Sequence, residues 1–69
     1  MMNKEALYDV TESIDDGIRA VIYALDRIKD CGLVDSEQRM IEDHLRKSRR
    51  LLDMAYDVVA LADDEGDRP

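Results

Sequence analysis

Ile28-Lys29-Asp30-Cys31-Gly32-Leu33-Val34-Asp35-Ser36-Glu37-Gln38 is the stretch on which the fold turns. Gly32 suits the left-handed residue that ends a helix, and Leu33 is placed to touch Ile28, the apolar contact that accompanies such an ending. Asp35 then reads as the N-cap of a second helix, with Gln38 three residues later to complete a variant capping box. Outward from this turn the apolar residues advance in steps of four and three on both sides. Before it run Leu7, Thr11, Ile14, Ile18, Val21, Leu25 and Ile28; after it run Ile41, Leu45, Ser48, Leu52, Ala55, Val59 and Ala62. That spacing keeps one narrow stripe of each helix facing a partner. Asn3 supplies the first N-cap and Glu5 a carboxylate at the positive end of the dipole. The sequence therefore predicts an all-α chain, a single antiparallel helical hairpin over residues 1–69. Helix 1 covers about 4–31, the turn 32–35, helix 2 about 36–63, and a disordered tail 64–69.

Two further patterns predict that the hairpin does not stand alone. After residue 50 the second helix is apolar nearly all round, through Leu51, Leu52, Met54, Ala55, Tyr56, Val58, Val59, Ala60 and Leu61. One seam cannot use all of these, and a helix apolar on several sides is buried on several sides. A two-helix hairpin also sets one layer against one layer, leaving half of each apolar face wet. The expectation is a homodimer forming a four-helix bundle, the symmetric pair being the commonest closed assembly. Its core and dimer residues are Ile14, Ile18, Val21, Leu25, Leu45, Leu51, Leu52, Met54, Val58, Val59 and Leu61. Val10, Gly17, Ala24 and Cys31 form a line of mostly small side chains at heptad spacing, and Ser48, Ala55 and Ala62 a second. Small residues on facing lines let helices approach closely; a kink at Gly17, beside Asp15 and Asp16, is the alternative reading of that glycine.

Composition narrows the function classes. The chain has 69 residues and a formal charge of −7, which argues against nucleic acid as the main partner, since such binding draws its affinity from neutralising phosphates. Cys31 is the only cysteine, so no internal disulfide framework exists. The longest unbroken apolar stretch, Ala20 to Leu25, is far too short to span a bilayer, and the start lacks the pattern of a secretory signal. A cytoplasmic protein is the expectation. No catalytic or metal motif is present: one His and one distant Cys do not make a metal site. No enzyme activity, metal or cofactor is expected.

Charge is unevenly placed. Glu5, Asp9, Glu12, Asp15 and Asp16 follow one another with no cation among them; Arg46, Lys47, Arg49 and Arg50 do so with no anion. With the turn near residue 33, Asp16 lies level with Arg50, so the clusters are expected to neutralise each other across the hairpin. Glu42–Arg46 and Asp43–Lys47 add surface pairs along the helix. The alternative is a functional basic patch. Glu5, Asp9, Asp57, Asp63, Asp64, Glu65 and Asp67 gather at the open end, where they would attract a basic protein surface. Tyr23 shares the outer stripe of helix 1 with Asp9, Asp16 and Asp30, and exposed tyrosine is a common interface anchor. The candidate partner-binding residues are Asp16, Tyr23, Asp30, Arg46, Arg49 and Arg50.

Three resemblances accompany these readings. His44-Leu45-Arg46-Lys47-Ser48 resembles the His-x-x-Lys core of histidine phosphotransfer domains, although Ser48 stands where their glycine follows the lysine. The whole layout resembles the Rop family of plasmid copy-number proteins: a short hairpin with seven-residue repeats, small residues at the helix contact and an acidic tail at Asp63 to Asp67. That resemblance implies a dimeric four-helix bundle that binds paired RNA loops on the outer face of the first helices, where this chain carries Asp9, Asp16 and Asp30 instead of cations. Size, acidity and helical content are also similar to those of small phage-encoded inhibitors that block host regulatory proteins. The leading expectation is a non-enzymatic, acidic, dimeric hairpin that docks on and modulates another protein. One form would mask the DNA-binding face of a transcription activator. A Rop-like RNA regulator is the alternative, and a phosphotransfer protein using His44 a more distant one.

Overall fold

The computed structural model describes residues 3–66 and shows two helices packed against each other, with no strand among those residues. Helix α1 spans Lys4–Arg27, a 3₁₀ turn covers Ile28–Asp30, and helix α2 spans Asp35–Gly66. The Asn3 side chain accepts the Ala6 N–H at 3.0 Å, capping α1 as its sequence position predicts. At the other end the last turn tightens, Cys31 N–H donating to the Ile28 carbonyl at 3.2 Å, and Gly32 follows at φ +72°. Only a residue without Cβ takes that left-handed conformation freely.

Two boundaries differ from the expected ones. Gln38 N–H donates to the Val34 carbonyl at 3.0 Å, so α2 begins at Asp35, and Asp35 joins Glu37 in the first turn at the positive end of the dipole. At its far end α2 continues through residues 64–66, expected in the tail; residues 67–69, with Asp67 of the expected acidic end, lie outside the described residues.

The seams meet as their spacing requires. Leu7, Thr11, Ile14, Ile18, Val21 and Leu25 on α1, with Leu45, Leu52, Ala55 and Val59 on α2, are half-buried between the helices. Thr11 fits this apolar contact because its hydroxyl donates to the Leu7 carbonyl at 2.9 Å. A Cβ built on Gly17 would meet the Leu52 Cδ1 at 3.4 Å, so α2 lies close against that glycine. Ser48, read as a seam residue, stays exposed between half-buried Leu45 and Leu52, and Ile41 and Ala62 stay exposed toward the two ends of the α2 stripe.

Among the described residues Ile28 alone is fully buried, at 5% exposure. The molecule extends 55 × 16 × 13 Å with a radius of gyration of 16.0 Å, against roughly 11 Å for a compact chain of this length. Of the residues assigned to core or dimer, Leu51, Met54, Val58 and Leu61 are 58–68% exposed. They take no part in the contact between the helices. No described helix is long and apolar enough to cross a membrane.

Candidate functional site

Helical spacing divides the surface of the hairpin into three regions, and each holds some of the residues singled out by sequence. The outer stripe of α1 presents Asp16, Tyr23 and Asp30. Tyr23 is 67% exposed and borders an open, mostly apolar recess of about 430 Å³ at the turn end, shared with Ala24, Arg27, Ile28, Cys31, Leu33, Ile41 and Leu45. Asp30 is held by Arg27 at 3.6 Å within the same turn. Asp16 makes no hydrogen bond or ion pair with any described residue.

The outer surface of α2 carries the basic cluster. Arg46 pairs with Glu42 at 3.3 Å and reaches Asp43 at 3.9 Å, both along its own helix. Lys47, Arg49 and Arg50 form no ion pair with a described residue, and Arg19, not a cation of α2, holds Asp15 at 3.1 Å. The expected neutralisation across the hairpin therefore does not occur. Asp16 and Arg50 are level along the axis, but each lies about 160° round its helix from the contact line, on opposite outer surfaces. His44 is exposed, and its Nδ1, as the protonated tautomer, donates to the Met40 carbonyl at 2.9 Å. No cluster of three His, Cys, Asp or Glu side chains able to hold a metal occurs among the described residues.

The third region is the pair of broad sides flanking the seam, and here the two sides differ sharply. One side carries Lys4, Tyr8, Thr11, Asp15, Ile18 and Ile22 on α1, and Glu42, Arg46, Arg49, Asp53, Tyr56, Ala60 and Asp63 on α2. Its open end forms a groove of about 330 Å³ between Tyr8 and Tyr56, lined also by Thr11 and Ala60. The Tyr8 hydroxyl donates to Glu12 at 3.2 Å; that hydrogen bond, then the Glu12 charge, raises the phenol above its ordinary value of 10.0. The other side carries Ala6, Val10, Ser13, Gly17, Ala20 and Ala24 on α1, and Ile41, His44, Ser48, Leu51, Ala55, Val58 and Ala62 on α2. Neither run contains a single Asp, Glu, Lys or Arg. Its recesses join Ala24 and Cys31 to Ile41, and Ile41 to His44 and Ser48, which places both runs on one side of the molecule.

Sequence reading found the two small-residue lines and the excess apolar arc separately. It did not see that they share one uncharged face. The signal was present in the four-three steps 6–24, one residue before each seam position of α1, and 41–62, which shares Ile41, Ser48, Ala55 and Ala62 with the α2 seam and takes the residue before each of its other positions.

The chain matches no family model, no curated protein and no solved structure. The site therefore rests on its geometry and chemistry.

Proposed function

We propose that the chain is a non-enzymatic regulator or inhibitor, working in the cytoplasm as an acidic homodimer of hairpins that docks on another protein. The observation that supports this reading is the mismatch between apolar content and burial: Ile28 is buried, while twelve large apolar side chains, Tyr23 and Leu51 among them, stay exposed. Exposed apolar surface on that scale marks interaction surfaces. The functional groups present are contact groups: an exposed tyrosine beside an unpaired aspartate on α1, and an excess of carboxylates toward the open end. A basic protein surface complements them, and the DNA-binding face of a transcription activator is one surface of that kind.

A second reading is favoured by one specific observation. Lys47, Arg49 and Arg50 are exposed and have no carboxylate partner among the described residues, which suits a Rop-like RNA contact made from α2.

Affinity purification from the cells of origin, with and without nuclease, separates the two. The double variant Tyr23→Ala, Asp16→Asn, which introduces no like charge on the rim, should keep the helical spectrum and the dimer mass. It should also lose a protein partner that the unaltered chain retains through nuclease, weakening it by more than about 1 kcal/mol. If binding instead disappears with nuclease, survives the double variant, and is abolished by charge reversal at Arg49 and Arg50, the RNA reading replaces it. Loss of activity on His44→Gln with both surface sets neutral would move the function to phosphotransfer.

A further inference from the structure

We propose that a second copy of this chain covers the uncharged face, with α1 of each protomer lying over α2 of the other, so that both turns sit at the same end of a four-helix bundle. The proposal rests on the homodimer reading above and specifies its interface. Area is the first argument. The uncharged runs, 6–24 and 41–62, occupy about 30 Å of a side 16 Å wide, a footprint of roughly 500 Å², and the rim and turn end supply the rest of the ~800 Å² per partner that stable interfaces bury. Chemistry is the second. The face carries no formal charge over residues 6–24 and 41–62, and at its turn end Arg27 and Glu37 are opposite in sign, so it is complementary to itself, as a two-fold interface must be. Leu51, 65% exposed, supplies a large side chain with Gly17 leaving room opposite it, while Val58 and Val10, 68% and 48% exposed, come level with each other. Of the polar side chains on the face, Ser13 and His44 are engaged within their own helices, while Ser48 makes no hydrogen bond with a described residue. Ser13 donates to the Asp9 carbonyl at 2.9 Å, and His44 Nδ1 to that of Met40. The other broad side carries five charges on α2 alone, Glu42, Arg46, Arg49, Asp53 and Asp63, and each would lose water if it were covered.

Two closed arrangements stack these faces with the helices aligned. In one, α1 lies over the partner's α1 with the turns at opposite ends; in the other, α1 lies over the partner's α2 with the turns together. Contact between Gly17 and Leu52 fixes which residues are level, and only charges on the rim of the face lie within screening distance of the other copy. With turns opposed and the two-fold axis at the level of Gly17, where the uncharged runs overlap most, Asp16 comes beside its own copy, and two attractions, Asp9 to Arg27 in each direction, stand against that repulsion. With turns together, Asp16 comes within about one helical turn of Lys47 and Arg27 within one turn of Glu37, each twice, and no like charges meet on the rim. The second arrangement gathers more attraction without the repulsion.

Three measurements on the full chain test this. Sedimentation should give twice the 7.9 kDa protomer mass at micromolar concentration. Cys31, exposed in the single hairpin and lying on the uncharged face, should react with a thiol reagent at least tenfold more slowly in the dimer than after dilution to monomer. For the arrangement, Cys31→Ser with Ser36→Cys places one spin label at the start of α2, on an exposed position away from the face. The label-to-label distance should be about 30 Å with turns together; turns opposed would give about 45 Å, the 30 residues between the two ends at 1.5 Å each. A dimer with the long distance overturns the arrangement, and a dimer with Cys31 fully reactive overturns the face. A monomer at every concentration overturns the proposal together with the homodimer reading on which it rests.

Discussion

Gly32 offers a clean measurement of what the turn contributes. Its φ of +72° is the only positive value among the described residues, and a Cβ built there meets no atom within 4 Å. Substitution therefore adds no steric contact, and the whole effect is the backbone preference of the new residue. Gly32→Ala should cost about 1–2 kcal/mol, the strain of an L side chain in the left-handed region. Gly32→Asn should cost less, because asparagine is tolerated at such helix ends. At 69 residues the chain is within reach of chemical synthesis, so D-alanine is the decisive third variant. Its preference has the opposite sign, and by narrowing the unfolded ensemble it should stabilise by about 0.4–1 kcal/mol. For a domain of this size 1 kcal/mol moves the melting temperature by about 4–8 °C. The order D-Ala, Gly, Asn, Ala should appear in thermal melts followed by far-ultraviolet circular dichroism, all at one protein concentration because association shifts the midpoint. If Gly32→Ala melts with the unaltered chain, or D-alanine melts below it, the turn is not held in the left-handed conformation and the reasoning fails.

Other outcomes follow from the contacts described. Leu52→Asp places an unpaired charge against Gly17 in the seam and should abolish most helicity at 222 nm; an unchanged spectrum and melting curve would show the helix contact to lie elsewhere. Gly17→Ala adds a methyl at ordinary van der Waals distance from Leu52 and removes a helix-weakening glycine, so each hairpin should gain up to about 1 kcal/mol; a loss of helix content would mean that α2 approaches more closely. In an ultraviolet titration of the phenols, Glu12→Gln should lower the Tyr8 value toward 10, since the Glu12 hydrogen bond and charge raise it; no change would assign the shift to another cause. Because the folded value of Tyr8 is the raised one, its contribution is fully present below pH 10 and is lost as pH climbs from there through the folded value.

The hairpin was legible because its signals are local and redundant. Asn3 caps α1, Gly32 turns left-handed, and Leu7 to Leu25 meet Leu45 to Val59 in the register that heptad spacing implies. The start of α2 was misread by one residue because Asp35 satisfies two roles, cap or first-turn acid, and only the Val34 carbonyl distinguishes them. The charge clusters were misread for a geometric reason. Counting from the turn gives height along the axis and says nothing of azimuth, and Asp16 and Arg50 share the first but not the second. The same omission hid the uncharged face. A partner for the proposed contact residues Tyr23 and Asp16 was not legible, since a contact surface carries no spacing rule of the kind that marks a phosphate loop or a metal cluster.

Two rods tied at one end open from the other. Ile28, alone fully buried among the described residues, lies beside the tie, while the approach of Leu7 and Val59 closes a loop of about fifty residues and forms only when the chain between them is already ordered. Amide exchange along each helix should therefore grade continuously, slowest near Leu25 and Leu45 and fastest toward Leu7 and Val59, with no boundary between a stable part and a labile one. The acids at residues 5, 9, 57, 63 and 64 sit on the fast-opening end. A partner drawn to that charge meets helix tips that part and close many times before the closed end yields, and it can be gripped without unfolding the molecule.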